Sequence, residues 1–333
     1  MIDFSIPAQL PSNIEELLET VFLLLLLIIS IVFTFTRNVI SSIALLIFFS
    51  VCLSVMYLLM NSPDVSMTEA SVGAAITTII PLSAFLVTGS TNQISEIKFS
   101  PVSFLLVIIL GIALSYGAGF MPLYGDFSSP IHNHIAPYYL AHTSHDIGIN
   151  STVTAILASY RGFDTLGETL VILTAGLSVF VLLYPKPFKV ISNPKDILIE
   201  AMAKIICPII LIFAFYIQIH GELSPGGGFQ AGAIMASSFI LCSLATSSNN
   251  ILSKFSFVGL KNMSIFGFLI YASTGAIALY SGENFLNYYV LATPSISGQE
   301  LGIFLVELGV GITVFSVLTY IFLLFSWKEV KLA

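Results

Sequence analysis

The chain has 333 residues, 56% of them hydrophobic and only 9% charged, with a formal net charge of −7 and a mean hydropathy of +0.99. Soluble domains carry roughly a quarter charged residues, so this balance excludes one and implies an all-α, polytopic membrane protein embedded in a lipid bilayer. The acidic balance and the lack of a basic tract argue against nucleic acid as a partner. Cys52, Cys207 and Cys242 lie inside apolar runs without metal or redox spacing and read as small hydrophobes.

The N-terminus carries Asp3, Glu15, Glu16 and Glu19 with no early Lys or Arg. That is not a signal peptide, so the first span is expected to be retained. Ser12-Asn13-Ile14-Glu15 fits a capping box leading into it. Spans are expected at 18–36, 39–60, 64–88, 101–120, 165–185, 198–220, 228–247, 262–281 and 300–325, each near the 20 residues that cross about 30 Å of hydrocarbon.

The third span holds the first candidate carboxylates. Pro63 and Asp64 open its first turn, where proline is tolerated and an acid suits the free N–H groups and the helix dipole. Glu69 sits on the apolar run beyond, next to a face of small residues: Ala70, Gly73, Ala74, Thr77 and Ala84. Small faces allow close helix packing in lipid. Pro81 leaves the Thr77 carbonyl without its helical donor, and Gly73 loosens the turn after Glu69. Glu69 is therefore either a proton or cation site or a side chain that snorkels to the surface.

Residues 121–164 form a long outer segment with four of the five histidines, and 150–160 is amphipathic enough for a short surface helix. His132, His134, His142 and His145, with Asp126 and Asp146, match no defined zinc spacing, so no metal or cofactor is expected. Arg161, Asp164 and Glu168 fall at helical neighbour spacings leading into the fifth span. They form a charge cluster with a functional role or simply complement a helix N-terminus.

The lysine- and proline-dotted linker 186–197 is the best internal boundary. The expected modules are an N-terminal membrane unit at 1–120, an outer segment with the fifth span at 121–190, and a second membrane unit at 191–333. In the sixth span Glu200 and Lys204 stand at i,i+4, a pair that neutralises itself, with Pro208 kinking the helix beyond. Lys204 is a path candidate or snorkels to the cytoplasm.

His220-Gly-Glu222-Leu-Ser-Pro225-Gly226-Gly227-Gly228-Phe229 joins spans six and seven. Membrane spans flank it, so a dinucleotide fingerprint, which needs a soluble strand–turn–helix, is excluded. The glycines read as irregular backbone at membrane depth, satisfied by protein or water. Glu307 lies two turns into the last span, too deep to snorkel readily, and is a proton relay or a structural hydrogen-bonding group. No nucleophile–base arrangement appears, so the chain is not expected to be an enzyme.

With the N-terminus outside, ten of the eleven basic residues fall on the inner side and only Arg161 remains outside. That bias predicts an N-out, C-in orientation.

Three of these stretches resemble a known family. P-D-V-S-M-T-E-A-S-V-G-A-A at 63–75 resembles a segment near the C-terminus of the large A subunit of Mrp-type multisubunit sodium/proton antiporters. It also resembles a small membrane subunit of membrane-bound hydrogenases. N-S-T-V-T-A-I-L-A-S-Y-R-G-F-D-T-L-G-E at 150–168 is similar to the segment that follows it there. H-G-E-L-S-P-G-G-G-F-Q-A-G at 220–232 is similar to the B-subunit signature, with Glu222 where that signature often has a second histidine. The resemblance implies a module like the C-terminal part of the large A protein, fused to a B subunit. Such a chain would work with large A and D subunits and small C, E, F and G subunits in the cell's inner (plasma) membrane, exchanging Na+ and H+. Glu69, Asp164, Glu168 and the 225–229 loop are family-like positions. A redox-driven membrane complex related to hydrogenases or complex I is the alternative.

Overall fold

In the computed structural model, residues 12–88, 100–123, 126–184, 188–189, 197–246, 256–326 and 328–329 are described. Among them, nine helical segments are long and apolar enough to cross a membrane. Lys98, Lys186, Lys195, Lys254 and Lys331, which carry half of the charge bias, lie outside the described residues.

The helices are α1 (Ser12–Phe35), α2 (Val39–Leu59), α3 (Pro63–Thr68), α4 (Thr77–Thr88) and α5 (Pro101–Ala118), then α6 (Ala136–Asp146), α7 (Thr152–Ala155) and α8 (Gly162–Leu183). α9 (Ile197–His220), α10 (Gly228–Thr246), α11 (Phe257–Tyr280) and α12 (Ser295–Phe325) complete the chain. Side chains mark several starts. Asn38, Ser100 and Ser256 each accept a hydrogen bond from the backbone N–H three residues on, which satisfies one of the free donors of a helix N-terminus. Pro63 and Pro101 stand at first helical positions, where proline's missing N–H costs nothing.

The third span is not one regular helix. Between α3 and α4 the backbone runs as a π-helix over Glu69–Ile76, and the Thr77 N–H reaches the Val72 carbonyl five residues back. Gly73 is where this segment meets α2. A Cβ there would overlap the Glu69 carboxylate and lie 2.9 Å from Ser50 Oγ.

α12 is the most enclosed span, and α5 has no buried residue. Apolar surface drives little association in lipid, so α12 is held by close van der Waals contact. A Cβ at Gly267 of α11 would lie 2.7 Å from the Gly309 carbonyl oxygen of α12. A Cβ at Gly228 of α10 would overlap the Glu307 carbonyl oxygen on its other side. Ile303, Val306, Val314 and Tyr320 of α12 are fully enclosed between these neighbours.

Several expected boundaries differ from the observed ones: α1 begins at Ser12 rather than 18, and α8 at Gly162 rather than 165. α12 begins at Ser295 rather than 300 and α11 at Phe257 rather than 262. The surface helix expected over 150–160 is α7 followed by a π turn, Ile156–Tyr160. The 121–164 segment also holds α6, where Tyr160 Oη donates to Asp146 Oδ2 (3.2 Å) and Tyr289 Oη to the Asp146 carbonyl (2.8 Å).

Candidate functional site

The loop between α9 and α10 is the piece on which the site is built. Gly226 and Gly227 adopt φ of +148° and +147°, backbone that an L side chain rarely enters. This turns two amides toward acidic partners. Gly226 N–H donates to Asp64 Oδ1 on α3 (2.9 Å), and Gly228 N–H donates to Glu307 Oε2 on α12. Buried backbone donors need partners, and here carboxylates supply them. A Cβ at Gly227 would stand 2.6 Å from Glu307 Oε2, so the bare backbone is what allows the approach.

The rest of the loop is tied to α7. Thr154 Oγ1 donates to the Gly221 carbonyl (2.5 Å), and Ser151 N–H donates to the Glu222 carbonyl (3.0 Å). His220 stacks on Tyr216, with ring centroids 4.1 Å apart. Pro225 is exposed and Glu222 half-buried.

Asp64, Glu168 and Glu307 line one cavity of about 280 Å³ together with Thr68, Thr154, Thr165, Thr169, Gln230 and Phe229. At about 30 Å³ per water it has room for several. Gln230 Nε2 donates to Thr68 Oγ1 (3.0 Å), joining α10 to α3. Glu307 stands about 18 Å along α12 from its start, at 1.5 Å per residue. Among the described residues, no basic side chain lines the cavity. Three ionised carboxylates in so confined a space repel one another, and a bound proton or cation relieves that repulsion. Carboxylate and hydroxyl oxygens are hard donors suited to a hard cation.

Of the sequence candidates, the structure thus gathers Asp64, Glu168, Glu307, Gly226 and Phe229. Three others lie elsewhere. Glu69 folds back over Gly73 toward Ser50 of α2. Asp164 pairs with Arg161 (2.5 Å) on an exposed turn. Lys204 pairs with Glu200 (3.0 Å), about 24 Å along α9 from His220. Sequence reasoning missed Thr68, Thr154, Thr165, Thr169 and Gln230. Thr68 one turn beyond Asp64 was a usable signal; the others become partners only through tertiary packing. Two histidines of the 121–164 segment are engaged singly: His142 stacks on Tyr138, and His145 Nδ1 lies 3.1 Å from Asp146 Oδ1.

Fold and cavity together define a multi-pass, all-helical membrane protein built around a glycine-loop-held carboxylate site. A family model described as a domain related to the MnhB subunit of Na+/H+ antiporters matches residues 198–320. Models for the D and E subunits of the MBH complex match 24–89 and 106–194. A putative antiporter subunit mnhB2 of Staphylococcus epidermidis is 34% identical over 131 residues, covering 36% of this chain and 92% of that protein. The chain belongs to the MnhB family of antiporter subunits. The A/B subunit of a probable K+/H+ antiporter of Rhizobium meliloti is 25% identical over 308 residues, 81% of this chain but 30% of that longer protein. Among solved structures, a chain of the Mrp complex from Dietzia sp. superposes with a TM-score of 0.72 at 17% identity; the match covers 93% of this chain and 35% of that one. A chain of an archaeal membrane-bound sulfane sulfur reductase gives a TM-score of 0.52 at 26% identity over 66% of this chain and 96% of that one.

Proposed function

We propose that this chain is a membrane subunit of a multisubunit monovalent cation/proton antiporter, to which it contributes a proton and cation site. The observation that carries the reading is the joint grip of one glycine loop on Asp64 and Glu307 at the wall of a cavity shared with Glu168. The path runs through these three carboxylates, while Glu69 lies outside the cavity on the same span as Asp64. Partners are the large A and D subunits and the small C, E, F and G subunits, and the complex resides in the cell's inner (plasma) membrane with this chain N-out and C-in. Two modules, 1–120 and 191–333, flank the segment 121–190; the separate family matches on either side of about residue 196 support the second boundary, whereas the match over 106–194 runs across the first. The test is sodium-driven proton movement in inverted vesicles holding the whole complex. Glu307→Gln is expected to abolish most of it at matched complex content, and near-normal exchange overturns the site.

A second reading is a subunit of an energy-converting redox complex. The hydrogenase-type matches and the likeness to the sulfane sulfur reductase favour it. Metal-cluster subunits co-purifying in mild detergent would select it over the antiporter.

A further inference from the structure

The carboxylate cavity is only partly enclosed, and one side chain of its lining does not suit lipid. Glu168 lines the cavity yet is exposed on α8, about 9 Å into that span. An ionisable side chain at such depth is expected to face protein or a polar cavity and to be paired. No ion pair joins it to a base among the described residues. Arg161, whose charge reaches Glu168 without pairing it, is held by Asp164, Lys204 is held by Glu200, and Lys261 lies over the Phe180 ring, about 18 Å further along α8.

The surface running on from Glu168 is shaped for a helix. Gly167, Val171, Thr174, Ser178 and Val181 are exposed and follow alternating four- and three-residue steps, the spacing of a helix-packing seam. A Cβ at Gly167 would touch nothing within 4 Å. Thr174 and Ser178 return their hydroxyls to the carbonyls of Val171 and Thr174, leaving a smooth small surface. A shallow groove lined by Thr174, Leu177, Ser178, Val181 and Leu182 lies on the same stripe. Small residues let another backbone come close in lipid. The chain's own uncovered span cannot supply the missing charge, because α5 contains no basic residue.

We propose that a membrane helix of another subunit packs along α8 over 167–182 and carries a basic side chain at the depth of Glu168, closing the cavity. The inference rests on the chain working within a complex, and not on that complex exchanging ions. A photo-crosslinking amino acid placed at Val171, and separately at Ser178, in the intact complex in native membranes tests it. Both adducts are expected on one helix of another subunit, with Lys, Arg or His within a turn of the residue joined to position 171. Adducts only to lipid, to α5, to a second copy of this chain, or to a helix without a base overturn it. Glu168→Lys should cut co-purification of that partner about fivefold or more, the effect of one or two kcal/mol, with Glu168→Gln in between. Replacing the partner's base by Glu should restore assembly with Glu168→Lys, and failure to do so overturns the charge pairing. The crosslinks are read on the native charges, so a Glu168→Lys chain that fails to fold leaves the outcome decided. They are equally legible in a complex that exchanges no ions.

Discussion

Asp64 on the third span and Glu307 on the last accept hydrogen bonds from Gly226 and Gly228, two amides of one short loop. The loop thereby fixes the spacing of two acids from opposite ends of the chain. The two positions are not equivalent. Asp64 is the second residue of its helix, where a carboxylate also complements the dipole, whereas Glu307 is inside a continuous helix. Glu307→Gln keeps the shape but cannot titrate. It should lower exchange in inverted vesicles about 100-fold, the scale for losing a positioned proton-transfer group. Asp64→Asn should both lower exchange and loosen the loop, read as faster proteolysis between α9 and α10.

Gly227 should tolerate no side chain. Its φ of +147° and the 2.6 Å approach to Glu307 Oε2 both oppose a Cβ. Gly227→Ala is expected to cost on the order of 1–3 kcal/mol, visible as a lower melting temperature of the purified complex. Gly117 of α5 is the control. A Cβ there meets nothing within 4 Å, and Gly117→Ala should leave stability unchanged or slightly raised.

Glu69 illustrates what a sequence can and cannot convey. Its acidity on an apolar span is legible, and so is the deformable backbone next to it, found as the π-helix Glu69–Ile76. Where the carboxylate points depends on Gly73 and on Ser50 of another helix, which no local pattern specifies. The same holds for the site. Asp64, Glu168, Glu307 and the glycines each stand out by chemistry, yet their convergence is a property of helix packing. Span positions were legible because hydrocarbon thickness fixes their length; the early starts of α11 and α12 were not, because Lys261 and Gln299 interrupt the apolar runs. If cavity placement matters more than acidity on a span, Glu69→Gln should reduce exchange several-fold less than Glu307→Gln in the same vesicles. Equal losses would show that Glu69 joins the path through movement of the π segment.

The segment 121–164 carries its own pH dependence. The hydrogen bond with His145 holds the Asp146 carboxyl below the usual aspartate range; slight burial opposes this, and the bond from Tyr160 assists. Burial and the Asp146 charge push the Tyr160 hydroxyl up to about 12, so it remains a donor at neutral pH. A depressed carboxyl pKa contributes stability that is fully present above the unfolded value of about 3.9 and is lost as pH falls through the folded value. The melting temperature should therefore fall more steeply below about pH 4 for the native chain than for Asp146→Asn. Tyr160→Phe should show an intermediate slope, and identical slopes for all three would remove the network from the account.

The last prediction concerns which way the chain crosses the membrane. Backbone pairing of Phe188–Lys189 with Lys328–Glu329 brings the segments after α8 and after α12 together. That agrees with the even number of spans, α9 to α12, between them. α8 alone separates the histidines of 132–145 from the linker that follows it, so a crossing α8 sets those two on opposite sides. The lysine and arginine bias predicts that the linker is inside. After Cys242, the one half-buried thiol, is changed to serine, an impermeant thiol reagent applied to intact cells should label Asn133→Cys. It should label Asn193→Cys, in the linker outside the described residues, only once the membrane is opened. Labelling of Asn193→Cys alone from outside would invert the orientation while keeping the span count. Labelling of both from outside would mean that α8 does not cross, and the nine-span reading would fall with it.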